Sequence, residues 1–89
     1  MHVGLDIGAK TVDLVYRANG KNSKVEKFDQ TSNGHAKIIK RIKALKPVHI
    51  VMEATGIYYL DLAVALHEAK LPVSVINPKE ALKNSPVLA

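Results

Sequence analysis

The run from His2 to Ile7 is apolar apart from Asp6 and reads as a buried strand. Gly8-Ala9-Lys10 makes a tight turn. Thr11 to Arg17 then sets Val12, Leu14 and Tyr16 against Asp13 and Val15, a period of two that predicts a second strand. Ala18 to Asn22 contains Asn19-Gly20, a hairpin signal because both residues tolerate the positive φ of a two-residue turn. Lys24 to Phe28 follows as a third strand, polar enough for a sheet edge. The three strands form a meander.

From Thr31 the period changes. Thr31-Ser32-Asn33-Gly34 is a loop with capping residues, and Ile38, Ile39, Ile42 and Leu45 form one stripe of a helix from about His35 to Leu45. Pro47 ends it. Val48 to Glu53 is a fourth strand. Thr55-Gly56 caps a second helix, Ile57 to Lys70, apolar nearly all round, with Asp61 and Glu68 sharing its one wet stripe. Leu71-Pro72 breaks that helix, and Val73 to Ile76 is a fifth strand. Asn77-Pro78-Lys79-Glu80 has the form of a further helix start, with Asn77 as N-cap and Pro78 at the first helical position. No repeat, low-complexity stretch or domain boundary interrupts the chain, so residues 1–89 read as one domain.

The order β-β-β-α-β-α-β predicts an α/β fold, a mixed sheet with helices on its faces. Right-handed crossovers place strand four beside strand one and give the sheet order 3-2-1-4-5, which is similar to the ribonuclease-H-like arrangement. With 47% hydrophobic residues, no Trp and one Phe, the core is built from Val, Ile, Leu and Ala. No apolar run approaches the roughly 20 residues of a membrane span, so no membrane partner is expected. No signal peptide opens the chain and it has no cysteine, which fits a cytoplasmic protein. The net charge is +5, and ten of the 13 basic residues fall between Lys10 and Lys46, a clustering that points to a polyanion.

The chemistry lies in two carboxylates. Period two puts Gly4 and Asp6 on one face of strand one, and Val51 and Glu53 on one face of strand four. As parallel neighbours about 4.8 Å apart, these strands bring both carboxylates to the same side near their carboxyl ends, where open α/β sheets bind ligands. A carboxylate inside a strand is disfavoured unless hydrogen bonds or a cation compensate it. Asp6 and Glu53 are therefore candidate catalytic residues and ligands for Mg²⁺ or Mn²⁺, which take oxygen donors. Two such ions roughly 3.5–4 Å apart serve phosphodiester chemistry, and normally need three or four carboxylates.

Gly4-Leu5-Asp6-Ile7 with Thr11-Val12-Asp13, Met52-Glu53-Ala54-Thr55-Gly56 with Tyr58, and Val75-Ile76-Asn77-Pro78 occur in one order over essentially the whole chain. This set resembles the N-terminal RuvC-like domain of the DEDD-type insertion-sequence transposases, relatives of the pilin-gene inverting recombinases. The resemblance implies metal-dependent cleavage and strand transfer on DNA, and allows a guiding RNA for the complete enzyme. It gives Asp6 and Glu53 the first two places of the Asp-Glu-Asp-Asp set. The last two belong to a Lys-Thr-Asp-x-x-Asp-Ala motif a dozen or so residues after the Asn-Pro, and the 89 residues end where that motif should begin. The expectation is therefore a domain incomplete at its C-terminus that holds a metal weakly and cannot cut or join DNA unaided.

Each candidate also has a plainer reading. Asp6 suits a turn residue accepting backbone hydrogen bonds, and Glu53 suits an acid placed at the N-terminus of the second helix. Asp13 reads as a solvated strand residue. Lys37, Lys40 and Arg41 lie opposite the isoleucine stripe, as a phosphate-tracking face or an ordinary wet one. Lys10 stands beside the carboxylates in a turn, and Thr55-Gly56 form an N-cap whose free N–H groups suit a phosphate. One of Tyr58 and Tyr59 is core and the other is free to stack on a base. His2, His35, His49 and His67 lack metal-ligand spacing.

Two other classes of function compete. Gly4-Leu5-Asp6-Ile7-Gly8 before a hairpin is similar to the first phosphate loop of actin-like and sugar-kinase-type ATPases, but no second Asp-x-Gly loop accompanies it. A non-catalytic DNA-binding or self-associating module is the third, since a sheet lacking helix cover exposes apolar surface that favours a homodimer or larger assembly.

Overall fold

In the computed structural model residues 1–54, 58–71 and 73–76 are described. Strand β1 is His2–Ile7, β2 is Thr11–Ala18, β3 is Lys21–Asn22 and β4 is Glu26–Asp29; helix α1 is Ser32–Leu45, β5 is His49–Ala54, α2 is Leu60–Glu68 and β6 is Val73–Ile76. The sheet runs β3-β2-β1-β5-β6, with β4 also paired to β2. Counting β3 and β4 as one interrupted strand, this is the expected mixed sheet: β2 is antiparallel to β1, and β1, β5 and β6 are parallel.

Asn19 and Gly20 have φ of 55° and 76°, so the tight turn between β2 and β3 has positive φ at both central residues, as the Asn-Gly pair predicts. The third strand departs from expectation. The register that pairs Arg17 with Asn22 would set Glu26 opposite Asp13, yet Glu26 pairs with Leu14 and Lys27 with Asp13. One extra residue is therefore accommodated between β3 and β4, as in a bulge. Ser23 supports the irregular segment. Its backbone N–H donates to the Tyr16 carbonyl at 2.8 Å, and its Oγ accepts the Tyr16 N–H at 3.0 Å, a bond a ladder carbonyl would otherwise receive. The slip turns Glu26 toward the helices and Lys27 away from them, because successive side chains alternate faces.

Helix α1 starts three residues earlier than its apolar stripe indicates. Thr31 is the N-cap, extended at φ −139°, with its side chain accepting from the Gly34 N–H at 3.1 Å. The helix ends at Lys46, in the left-handed region at φ 51°, whose N–H returns to the Ile42 carbonyl. Helix α2 stops at Glu68 rather than Lys70. Lys70 is left-handed at φ 60°, and the Leu71 N–H bonds back to the Leu66 carbonyl at 3.1 Å, so the helix closes before Pro72 is reached. The Thr55-Gly56 cap, Ile57, Pro72 and the Asn77-Pro78 helix start lie outside the described residues.

Val3, Leu5 and Ile7 of β1, Val12 and Leu14 of β2, and Ile50 and Met52 of β5 form one buried layer with Ile38 and Ile42 of α1 and Leu62 and Leu66 of α2. Both described helices thus cover the same face. The geometry follows from handedness: β4-α1-β5 and β5-α2-β6 advance across the sheet in the same direction, and right-handed crossovers advancing one way stay on one face. The other face carries Gly4, Asp6, Asp13, Val15, Val51 and Glu53.

Arg41 belongs to the helix side of this architecture. Its Nε and Nη2 each donate to a carboxylate oxygen of Glu26 at 2.9 Å, and its guanidinium lies 5.6 Å from the Tyr16 ring centroid. The hydrogen bond from Arg41 holds the Glu26 carboxyl below its ordinary value. This pairing therefore contributes stability in full above the unfolded carboxyl range and loses it as pH falls through the folded value. In Arg41→Gln, carboxyl-carbon NMR is expected to show Glu26 titrating closer to the ordinary 4.5. An unchanged Glu26 titration would show that Arg41 is not the cause.

Candidate functional site

Asp6 and Glu53 are each the penultimate residue of a strand, and they are direct partners in the parallel β1–β5 register. Adjacent strands stand about 4.8 Å apart, so the two side chains leave the sheet side by side. Asp6 is exposed because the even positions of β1 face away from the helices while Val3, Leu5 and Ile7 face them. Glu53 is exposed as well. Among the described residues no charged side chain is buried. The carboxylates are thus aligned as the sequence indicates, for a different reason: both are solvated, and burial demands no compensation from either.

Asp13 joins them. It is the antiparallel partner of Asp6, so Asp13, Asp6 and Glu53 form one transverse row over β2, β1 and β5. Lys27 of β4 continues the row and donates from Nζ to Asp13 Oδ1 at 2.8 Å. This row lies in a shallow depression of about 260 Å³, lined also by Gly4, Val15, Val25 and Val51. Asp13 is the residue that sequence reasoning set aside as merely solvated. Its signal was present in the period of two, but only the register shows which residue it faces.

The basic candidates divide. Lys10 is exposed in the turn that follows β1, at the end of the sheet where the carboxylates stand. Lys37 and Lys40 are exposed on α1, which packs on the opposite face, so the sheet separates them from Asp6 and Glu53. Arg41 is half-buried, and both of its bonded nitrogens face Glu26 on the helix side of the sheet. It flanks the isoleucine stripe closely enough to reach β4. Thr55 and Gly56 lie outside the described residues.

His35 belongs to a hydrogen-bonded cluster at the start of α1. Its Nε2 pairs with the Oε1 of Gln30, and burial pushes its imidazole below the ordinary value against an opposing pull from Asp61. Gln30 Nε2 in turn donates to the carbonyls of Gly8 at 3.0 Å and Tyr58 at 3.1 Å. Tyr58 is exposed, and Tyr59 is partly buried against the core. Beside this cluster an open groove of about 860 Å³ runs between α1 and α2 over Ala36, Ile39, Leu60 and Val64.

The donor set tests what a metal would find. Paired carboxylate oxygens suit a hard cation, and Mg²⁺ is commonly held by one or two carboxylates with water filling the remaining positions. Among the described residues, no three His, Asp or Glu side chains gather as a metal cluster. The pair fits a partial, hydrated site. Among these residues, too, no helix is long and apolar enough to cross a membrane.

Comparison with solved structures places the fold. RuvC of T. thermophilus in complex with its Holliday junction substrate superposes with a TM-score of 0.64 at 17% identity, over 92% of this chain and 67% of that one. A fowlpox virus resolvase with Holliday junction DNA gives 0.60 at 20% identity, over 88% of this chain and 62% of that one. The chain thus spans about two thirds of the RuvC-like proteins it resembles. No curated protein matches it. The family model that matches, over residues 3–85, is described as a transposase of the DEDD type found in IS110 elements. Matched over nearly its whole length, the chain belongs to the DEDD transposases of the IS110 family.

Proposed function

We propose that residues 1–89 are the N-terminal part of a single RuvC-like catalytic domain, in which Asp6 and Glu53 hold a divalent cation for phosphodiester cleavage and strand transfer on DNA. The observation that carries this reading is their direct register on neighbouring parallel strands, with both side chains on the exposed face. The cation, Mg²⁺ or Mn²⁺, would polarise a phosphodiester and activate the attacking oxygen. This chain's part is to hold the ion between the two strand ends and to present the open face to the backbone of DNA, the partner named for the similar resolvases.

Lys10 and Lys27 are the cations placed to meet phosphates on that face, Lys10 at the strand ends and Lys27 at the end of the acidic row. Lys37 and Lys40 stand across the sheet and offer nucleic acid a separate contact. Two carboxylates are half of the family's acidic set, so the same proposal expects weak metal binding and no unaided strand cleavage. Calorimetric titration with Mn²⁺ is expected to show saturable binding that Glu53→Gln removes. A folded wild-type chain that takes up no Mn²⁺ would sink the proposed site.

A further inference from the structure

The extra residue between β3 and β4 aims Lys27 at the face that carries the carboxylates. Bulges commonly re-aim a side chain in this way beside a functional site. Lys27 is the register partner of Asp13, and its Nζ donates to Asp13 Oδ1 at 2.8 Å. Among the described residues the cations held in ion pairs are Lys27 and Arg41, and Arg41 bonds Glu26 on the helix side. The Lys27 and Asp13 side chains are 63% and 35% exposed, so their pairing adds little to stability. An ammonium has three donors, and this contact leaves others free for a second acceptor.

Glu53, Asp6, Asp13 and Lys27 follow one another in register across β5, β1, β2 and β4. With strands about 4.8 Å apart, Asp13 stands roughly 7 Å from the middle of the Asp6–Glu53 pair. The Lys27 ammonium, one hydrogen bond from Asp13, is then roughly 7–10 Å from that point. A DNA strand rises about 3.4 Å per nucleotide and turns once in about 10, which sets its neighbouring phosphates roughly 7 Å apart. A phosphate held over the two carboxylates through a cation thus leaves its neighbour within reach of Lys27, provided the strand runs along the row. Lys10, in the turn beyond β1, lies off the row and would instead meet a strand running along β1.

We propose that Lys27, held by Asp13, binds the phosphate next to the one bound over Asp6 and Glu53, so that the DNA strand crosses the sheet from β5 toward β4. Asp13 is then a positioning residue that touches no phosphate itself. The one-phosphate spacing rests on the proposed cation site; the contact between Lys27 and a phosphate does not.

The test uses the whole chain, a fluorescein-labelled DNA duplex and Mn²⁺. Lys27→Met should flatten the slope of log affinity against log salt by about 0.9, the loss of one phosphate contact. Lys27→Arg, which keeps the charge and a donor for Asp13, should restore it. Because Lys27→Met also removes a positive charge near the cation, it should tighten Mn²⁺ binding about twofold. General loosening of the fold does not weaken one ligand and strengthen the other. Asp13→Asn is the sharper variant. Loss of an acid raises the net charge and by itself favours DNA, yet a released Lys27 should weaken DNA binding in Mn²⁺ about two- to threefold. Tighter DNA binding by Asp13→Asn overturns the positioning role. An unchanged salt slope in Lys27→Met overturns the phosphate contact, and a slope that falls in Lys10→Met alone runs the strand along β1. If wild-type protein binds no Mn²⁺, the cation site fails and the one-phosphate spacing falls with it. The salt slope without Mn²⁺ then still decides whether Lys27 meets a phosphate.

Discussion

Gly34→Ala is expected to destabilise the fold by about 2–3 kcal/mol, although in an ordinary helix the same change is favourable. Gly34 lies buried in the first turn of α1, and a Cβ built there would meet the Asp29 carbonyl oxygen at 1.8 Å and its carbon at 2.7 Å. The obstacle is backbone, so no rotamer change relieves it. Only Gln30 and Thr31 separate β4 from α1, and the helix must double back onto the strand end it has just left. Opening that contact would shift α1 relative to β4 and disturb the capping bond from Gly34 N–H to Thr31. For a domain of this size the loss corresponds to a fall in Tm of roughly 10–20 °C. Urea unfolding checks it through a lower midpoint at unchanged slope. Ala36→Gly, two residues on in the same helix, provides the contrast, with an expected cost of about 1 kcal/mol. A Gly34→Ala protein as stable as the parent would mean that α1 does not approach Asp29 this closely.

That glycine also shows where sequence reading reached its limit. The apolar stripe located α1 from residues on its core side, but Thr31-Ser32-Asn33-Gly34 looked like a loop because several capping residues and a glycine stand together. Only the position of Asp29 reveals that Gly34 is helical and that its missing Cβ serves contact rather than flexibility. β1, β2 and β5 were legible because each alternates cleanly against a buried layer. The third strand was not, since its break depends on a Ser23 hydroxyl taking the place of a ladder carbonyl.

The same slip in register hid part of the candidate site. It turns Glu26 toward Arg41, fifteen positions away, and so removes from the wet face a cation that local pattern had placed there. It also sets Lys27 against Asp13. The alignment of Asp6 with Glu53 was legible, since a period of two and one right-handed crossover suffice to give it. Gln30 left no local signal, because a residue whose partners are Gly8, Tyr58 and His35 is recognised only once three separate segments have met.

Asp6→Asn is expected to weaken Mn²⁺ binding at least about tenfold while making the protein slightly more stable. Asp6 stands between Asp13 and Glu53 in register, and among the described residues no ion pair relieves it, whereas Asp13 has Lys27. Like charges directly opposite one another across strands are unfavourable. Removing the central charge at constant shape should therefore raise stability by roughly 0.2–0.5 kcal/mol at low salt, at the low end because the row is solvated. The gain should shrink as added salt screens the row. For a divalent ion the same charge is a contact partner. Even in a water-like dielectric it contributes about 1 kcal/mol per unit of ion charge, so its loss should weaken binding by at least about tenfold. Asp13→Asn separates the two effects: it also removes a negative charge beside Asp6, but it releases Lys27, and its stability should change little. Unfolding midpoints at two salt concentrations, with Mn²⁺ titrations on the same samples, measure both sides. If Asp6→Asn were instead less stable at either salt, Asp6 would be acting as a turn residue that accepts backbone hydrogen bonds.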